Sequence, residues 1–285
     1  MSLPGAARST HPEHRGGWRH VGGILVLAVF VTPLVFMVTG SLRDTGLPPP
    51  RTPELLPSPL AFDNYGRTFE LVPIPRQVLN SAIVVVVAVP LTILFASWAG
   101  FAMARLPRRA GGILVGLSLI VLMVPVTALL VSRFAMFRMA GLTDTYVPLV
   151  APSLMGMSPF YVLLFFWSFR RLPRELFEAS RLEGLGAFAT WGRVAMPLVR
   201  PTTMAVGVLA FVLTWSNFLD PLIYLYDPNL STVPLGLRAL STLPRQDLPL
   251  MLAGAVTATA PVVIAFLFVQ RYFLREFRGA GWLGR

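Results

Sequence analysis

Six apolar stretches, each about twenty residues or longer, run through this chain, and each is long enough to cross roughly 30 Å of hydrocarbon. They are Val21–Leu42, Leu79–Ala104, Gly111–Val131, Val147–Phe169, Thr202–Leu225 and Leu248–Val269. All are uncharged except the fifth, which holds Asp220. Only 13 % of the 285 residues are charged and 55 % are hydrophobic, whereas a soluble domain carries about 25 % charge. A water-soluble globule and a disordered chain are thereby excluded. The 23 Gly and 26 Pro follow no fixed period, so a collagen-like chain is excluded too. The expected fold is all-α, a polytopic membrane protein with six transmembrane helices. The first stretch exceeds a signal-peptide core, and the SLRDTG after it lacks a small-residue cleavage site, so it reads as a retained helix.

Charge sets the orientation. The net charge is +11 and every basic residue is Arg, with no Lys. Segments 1–20, 105–110, 170–201 and 270–285 hold sixteen arginines, against eight in the remaining loops. The positive-inside rule then puts both termini in the cytoplasm. The basic loops meet membrane lipid, and a nucleic-acid partner is not expected, because the Arg lies between apolar spans and forms no single stripe. The chain reads as one membrane domain, residues 21–273, between cytoplasmic tails 1–20 and 274–285. A proline-rich outer loop, 43–78, is expected to run extended ahead of FDNYGRTF, and an inner loop occupies 170–200.

No cysteine is present, so disulfide and thiolate chemistry is absent. His11, His14 and His20 cluster in the amino-terminal tail, and no metal site is expected. Pro33, Pro90, Pro125 and Pro261 fall inside spans and predict kinks. Ala96, Gly100 and Ala104, and again Gly254 and Ala258, form small-residue ridges at four-residue spacing that permit close helix packing in lipid. Arg133, near the outer end of the third span, is expected to snorkel outward.

The inner loop reads RRLPRELFEASRLEGLGAFATWGRVAMPLVRP. Pro173 suits a first helical turn, and Glu175, Glu178 and Arg181 complement the helix dipole. Gly184 and Gly186 stop the helix. About three turns result, roughly 16 Å, too short to span. Leu172, Leu176, Ala179 and Leu182 or Glu183 fall near one face, and Ala179 and Ser180 are small enough for another surface to approach closely.

Glu178-Ala179-Ser180, then Gly184, then Pro197 resembles the EAA motif of the permease subunits of bacterial ABC importers. Ser180 replaces the usual second Ala, and Met196 stands before Pro197 where Leu is usual. Further stretches are similar to carbohydrate-importer permeases of the MalG type: LPSPLAFDNY, LNSAIVV, LTDTY, LPREL, WSNFLDPLIYL and QRYFLREF. The tail GAGWLGR departs from that family, so no tail contact is carried over.

The resemblance implies a coupling helix, carried by Glu178, Ala179, Ser180, Leu182, Gly184 and Pro197, that docks on a cytoplasmic ATPase subunit. It implies as partners a second homologous permease subunit, two ATPase subunits and an extracytoplasmic solute-binding protein, in a bacterial inner membrane. The solute implied is a sugar or oligosaccharide, with glycerol phosphate or another small solute as the alternative. ATP and Mg would be bound by the partner subunit, and no cofactor is expected here. Without Lys the G-x-x-x-x-G-K-[ST] phosphate loop cannot exist in this chain, so it is not itself the ATPase.

Within the fifth span, Trp215, Asn217, Asp220 and Tyr224 offer stacking and hydrogen-bonding groups suited to a sugar. A carboxylate at membrane depth is a functional candidate by default. Asp220 either lines the solute path or caps a kink before Pro221. An ion-coupled secondary transporter would need more intramembrane ionisable groups and a repeat. An intramembrane enzyme would need paired acids, a His–acid cluster or a metal set within spans.

Overall fold

The computed structural model describes residues 16–48 and 55–279. Among them there is no β-strand. His11 and His14 lie outside the described residues, as does most of the PPPRTPE run expected to extend across the outer surface.

The first two spans are continuous helices. α1 covers Gly16–Ser41 with Pro33 inside it, and α3 covers Ile74–Arg105 with Pro90 inside it. Between them lies an unexpected helix, α2, Asp63–Leu71. It is too polar to register as a span and is held from outside. Asn64 Nδ2 donates to the Ser41 and Arg43 carbonyls at 2.9 and 2.7 Å, and Thr68 Oγ1 donates to the Leu250 carbonyl at 3.1 Å.

The third span is not one helix. α4, Arg108–Met123, stops ahead of Pro125, which lacks an N–H to continue the ladder. A 3₁₀ turn, Val126–Leu129, leads into α5, Leu130–Met139, and the two halves are bent by 80°. The fourth, Val147–Arg170, is long and apolar enough to cross but is interrupted. α6, Val147–Val150, passes into a 3₁₀ stretch Ala151–Met155. Gly156 and Met157 then adopt φ +71° and +61°, and Ser158 caps α7, Pro159–Arg170, accepting the Phe160 N–H at 3.3 Å.

The inner loop contains α8, Arg174–Leu182, then α9, Ala187–Ala189, a π-helical stretch Thr190–Ala195, and α10, Met196–Leu198. An 86° bend precedes α11, Arg200–Trp215. The fifth span was expected to reach Leu225, but it ends at Trp215. After a turn, α12, Leu219–Tyr224, begins separately. On the outer side α13, Val233–Leu240, leads to α14, Leu248–Gly279, which runs through Pro261. Among the described residues four helical segments are thus long and apolar enough to cross a membrane, or up to six if each bent pair counts as one crossing.

α3 is the hub. Ala96 is buried against Gly156 just ahead of α7 and Gly100 against α7 itself, where a Cβ on Gly100 would lie 2.7 Å from Phe165 Cβ and 2.8 Å from the Val162 carbonyl oxygen. Only glycine allows this approach. Phe101, Phe165, Phe169, Val206 and Ala210 close the main core around it. The outer loop is tied to the same helix: Asn80 Nδ2 donates to the Asn229 and Ser231 carbonyls at 2.8 and 2.9 Å, and the Val233 N–H donates to Ser81 Oγ at 3.0 Å. Elsewhere α1 and α4 leave large apolar side chains exposed, among them Phe30 and Ile113, as helices facing lipid do.

Candidate functional site

Two places stand out, one at the end of the bundle and one inside it. The first is α8. Pro173 is its N-cap residue, one position ahead of the first helical turn. Its far end is a Schellman stop: the Leu185 N–H donates to the Ser180 carbonyl at 2.9 Å and the Gly184 N–H to that of Arg181 at 3.0 Å. Gly184 takes φ +74°, a left-handed conformation that glycine adopts at little cost. The nine residues span about 13 Å at 1.5 Å per residue.

The inward face of α8 differs from the expected one. Leu176, Phe177 and Ser180 turn toward the bundle, while Glu178, Ala179 and Leu182 turn away. Phe177 takes the inner position because its ring packs 6.0 Å from that of Phe101. Ser180 is buried and its hydroxyl donates to the Leu176 carbonyl at 2.7 Å. Leu182 is 89 % exposed, and Gly184 and Pro197 are exposed as well. The helix therefore presents a carboxylate, a methyl and a large unpartnered aliphatic side chain outward.

The second place is a cavity of about 350 Å³ at the point where three spans break. Its wall includes Val126 and Thr127 after the Pro125 break, Met157 and Ser158 at the second, and Asn217 and Asp220 at the third. Non-helical backbone at membrane depth is tolerated only where it is covered by protein or borders a water-filled space. Broken helices around one cavity are also how membrane carriers build solute sites.

Its polar groups are few and defined. Arg133 does not snorkel: the 80° bend turns α5 so that Arg133 Nη1 lies 3.4 Å from Asp220 Oδ1. Asn217 Nδ2 donates to Asp220 Oδ2 at 2.9 Å, and the Asp220 N–H donates to Asn217 Oδ1 at 3.2 Å. Asp220 thus lies in the first turn of α12, capped by Asn217, and is one of the residues lining the cavity. Three further polar atoms on lining residues are buried with no hydrogen-bond partner among the described residues: Arg133 Nη2, Tyr161 Oη and Thr214 Oγ1. Buried groups of this kind are costly unless something satisfies them.

Of the four residues singled out in the fifth span, Asn217 and Asp220 reach the cavity. Trp215 does not; its indole N–H donates to the Ala258 carbonyl at 3.3 Å, pinning α11 to α14. Tyr224 is fully buried with its ring packed on Phe134 and Phe137. Sequence reasoning missed Tyr161 and Thr214 and misjudged Arg133. The Gly156-Met157-Ser158-Pro159 run was the available cue to the second break.

The family described as "Binding-protein-dependent transport system inner membrane component" matches residues 88–279. The arabinooligosaccharides transport system permease protein AraQ of Halalkalibacterium halodurans is 30 % identical over 257 residues, 89 % of this chain and 91 % of that one. The lactose transport system permease protein LacG of Rhizobium radiobacter is 28 % identical over 264 residues, 90 % of this chain and 93 % of that one. A chain in the crystal structure of a bacterial ABC transporter that imports the acidic polysaccharide alginate superimposes with a TM-score of 0.71 at 20 % identity, covering 92 % of this chain and all of that one. That likeness speaks for the fold.

Proposed function

The chain belongs to the binding-protein-dependent transport system inner membrane components, and from that premise we propose that it is the permease subunit of an ATP-dependent importer of a sugar or oligosaccharide. It forms half of the translocation path, pairs with a second related permease, and is driven by two cytoplasmic ATPase subunits that bind ATP and Mg. A solute-binding protein delivers the solute from outside, to the outer loops around Tyr65 and residues 230–247. Both termini face the cytoplasm of a bacterial cell. The relatives named for arabinooligosaccharides and lactose support the choice of solute class.

The observation that carries the proposal is the exposed outer face of α8, Glu178, Ala179 and Leu182, on a helix too short to cross. An ATPase surface would grip that face, while Ser180 and Phe177 root the helix in the bundle. Closure of the ATPase pair on ATP would draw the two coupling helices together and tilt the bundle open to the outside. Hydrolysis would return it. Each nucleotide condition favours one of two packings of the same helices. Within the bundle, the Arg133–Asp220 cavity would receive the hydroxyl groups of the passing solute.

Glu178→Lys and Gly184→Asp in the purified, assembled complex are the test. Loss of solute-stimulated ATP hydrolysis together with uptake is expected, with the subunits still co-purifying in at least one of the two. Unchanged hydrolysis and uptake in both would end the assignment of α8 as the coupling helix.

A further inference from the structure

Five arginines converge along one flank of α8, between its inward residue Phe177 and its outward residue Glu178. Arg105 ends α3, Arg108 begins α4, Arg170 ends α7, and Arg174 and Arg181 belong to α8. Together with Phe101, Phe169, Leu172, Phe177 and one carboxylate, Glu178, they line a cleft of about 570 Å³. Two of the five are held in place. The Arg170 guanidinium donates to the Ala104 carbonyl at 3.1 Å and to that of Leu106 at 3.4 Å. That of Arg105 lies 5.3 and 5.4 Å from the ring centres of Phe101 and Phe177, a cation–π sandwich. Among the described residues none of the five is in an ion pair. A cluster of like charges repels itself, and long surface arginines relieve this by splaying into water. Here two are fixed so that the charges stay gathered round one space.

We propose that this cleft binds the phosphate of an anionic phospholipid headgroup. The guanidinium fork matches phosphate oxygens two at a time, and a phosphate with net negative charge would offset the excess of arginine. Position argues for a lipid source. The cleft lies where the apolar helices end, its inner wall is aromatic, and α4 leads away from it with Ile113, Leu117 and Ile120 exposed. A headgroup in the cleft can keep its acyl chains along that helix. Anchored this way, the lipid braces α8 along the flank that Glu178 borders, and Ala179 and Leu182 stay outward. The inference rests on the membrane-spanning reading and not on transport, so the two can fail separately.

The test measures lipid retained by the assembled complex after delipidation, by native mass spectrometry, from nanodiscs mixing phosphatidylglycerol and phosphatidylcholine. The wild type should keep phosphatidylglycerol in preference. An arginine near an anionic headgroup contributes enough that each loss lowers retention about fivefold. Arg105→Gln with Arg108→Gln should therefore lower it about thirtyfold, with Arg→Lys at both positions retaining part. If that pair disrupts assembly, Arg174→Gln supplies the single-charge arm. Equal retention in wild type and variants would overturn the proposal. So would displacement of the lipid by millimolar inorganic phosphate, which would mean a free-anion site. Phosphatidylglycerol binding that appears only after the ATPase subunits are stripped off would overturn it as well, since the cleft would then hold an acidic protein surface. A complex that no longer transports still gives a lipid count.

Discussion

The α3–α7 seam and the cavity beside it share Tyr161 yet are built on opposite terms. Along the seam, Ala96 and Gly100 let two backbones touch, and Phe165 and Phe169 fill the space around them. Nothing there can move without loss of packing. At the cavity, by contrast, three helices break within a small volume, and its lining includes the Arg133–Asp220 ion pair, Asn217 and several hydroxyl residues. The difference teaches where a rigid lever ends and an adaptable surface begins. A bundle that tilts as a body needs the first, and a path that accepts a polar solute needs the second.

The comparison breaks hardest at Asp220. Removing a carboxylate from a largely buried ion pair leaves its partner charge uncompensated, which costs about 3–5 kcal/mol. Asp220→Ala should destabilise the detergent-solubilised complex by that amount in thermal or denaturant unfolding, because Arg133 has no second carboxylate within reach among the described residues. Arg133→Met combined with Asp220→Leu should recover most of the loss, since well-packed apolar residues often replace such pairs at no cost. If the single variant proves as stable as the wild type, the pair is water-screened and the cavity is an open channel mouth.

On the seam the expected effect is smaller. Gly100→Val forces a branched side chain against the Val162 carbonyl and the Phe166 N–H, where even a Cβ would lie within 2.8 Å. Overpacking of this kind costs about 1–3 kcal/mol. Gly116→Val on α4, where a Cβ would have nothing within 4 Å, is the matched control and should stay within about 0.5 kcal/mol. Equal melting temperatures for the two variants would show that α3 and α7 are not locked together.

These contrasts also explain what the sequence could and could not reveal. Four-residue spacing of Ala96, Gly100 and Ala104 announces close packing because the small residues themselves create the contact. α8 was legible for a like reason: Pro173 and Gly184 act on the local backbone. Pro125 announced the first break and Pro221 offered a cue to the third, but the apolar runs hid their extent, because such a run reports depth in the membrane and not continuity of the helix. α11 stops because Asn217 and Asp220 bond each other across the turn, and α7 starts late because Ser158 and Pro159 cap it. Arg133 was misread because a proline predicts that a helix bends but not by how much or toward what, and the 80° turn at Pro125 carries α5 to Asp220. α2 went unseen because its polar residues find partners from Ser41 to Leu250, far along the chain.

The finest distinction lies at Tyr161, which belongs both to the seam's core and to the lining of the cavity. That hydroxyl is buried and has no protein partner among the described residues. Deleting it removes an unsatisfied polar atom and keeps the ring, so Tyr161→Phe should leave stability unchanged or slightly raised. If the hydroxyl meets the solute in transit, uptake should nevertheless fall about threefold to tenfold, the equivalent of one neutral hydrogen bond of roughly 0.5–1.5 kcal/mol. Thr214→Val should behave in the same way. A loss of uptake without a loss of stability is something a purely structural tyrosine cannot produce. Uptake at the wild-type rate from equally stable Tyr161→Phe and Thr214→Val complexes would mean that the solute passes along the other permease subunit, with this chain serving as the lever alone.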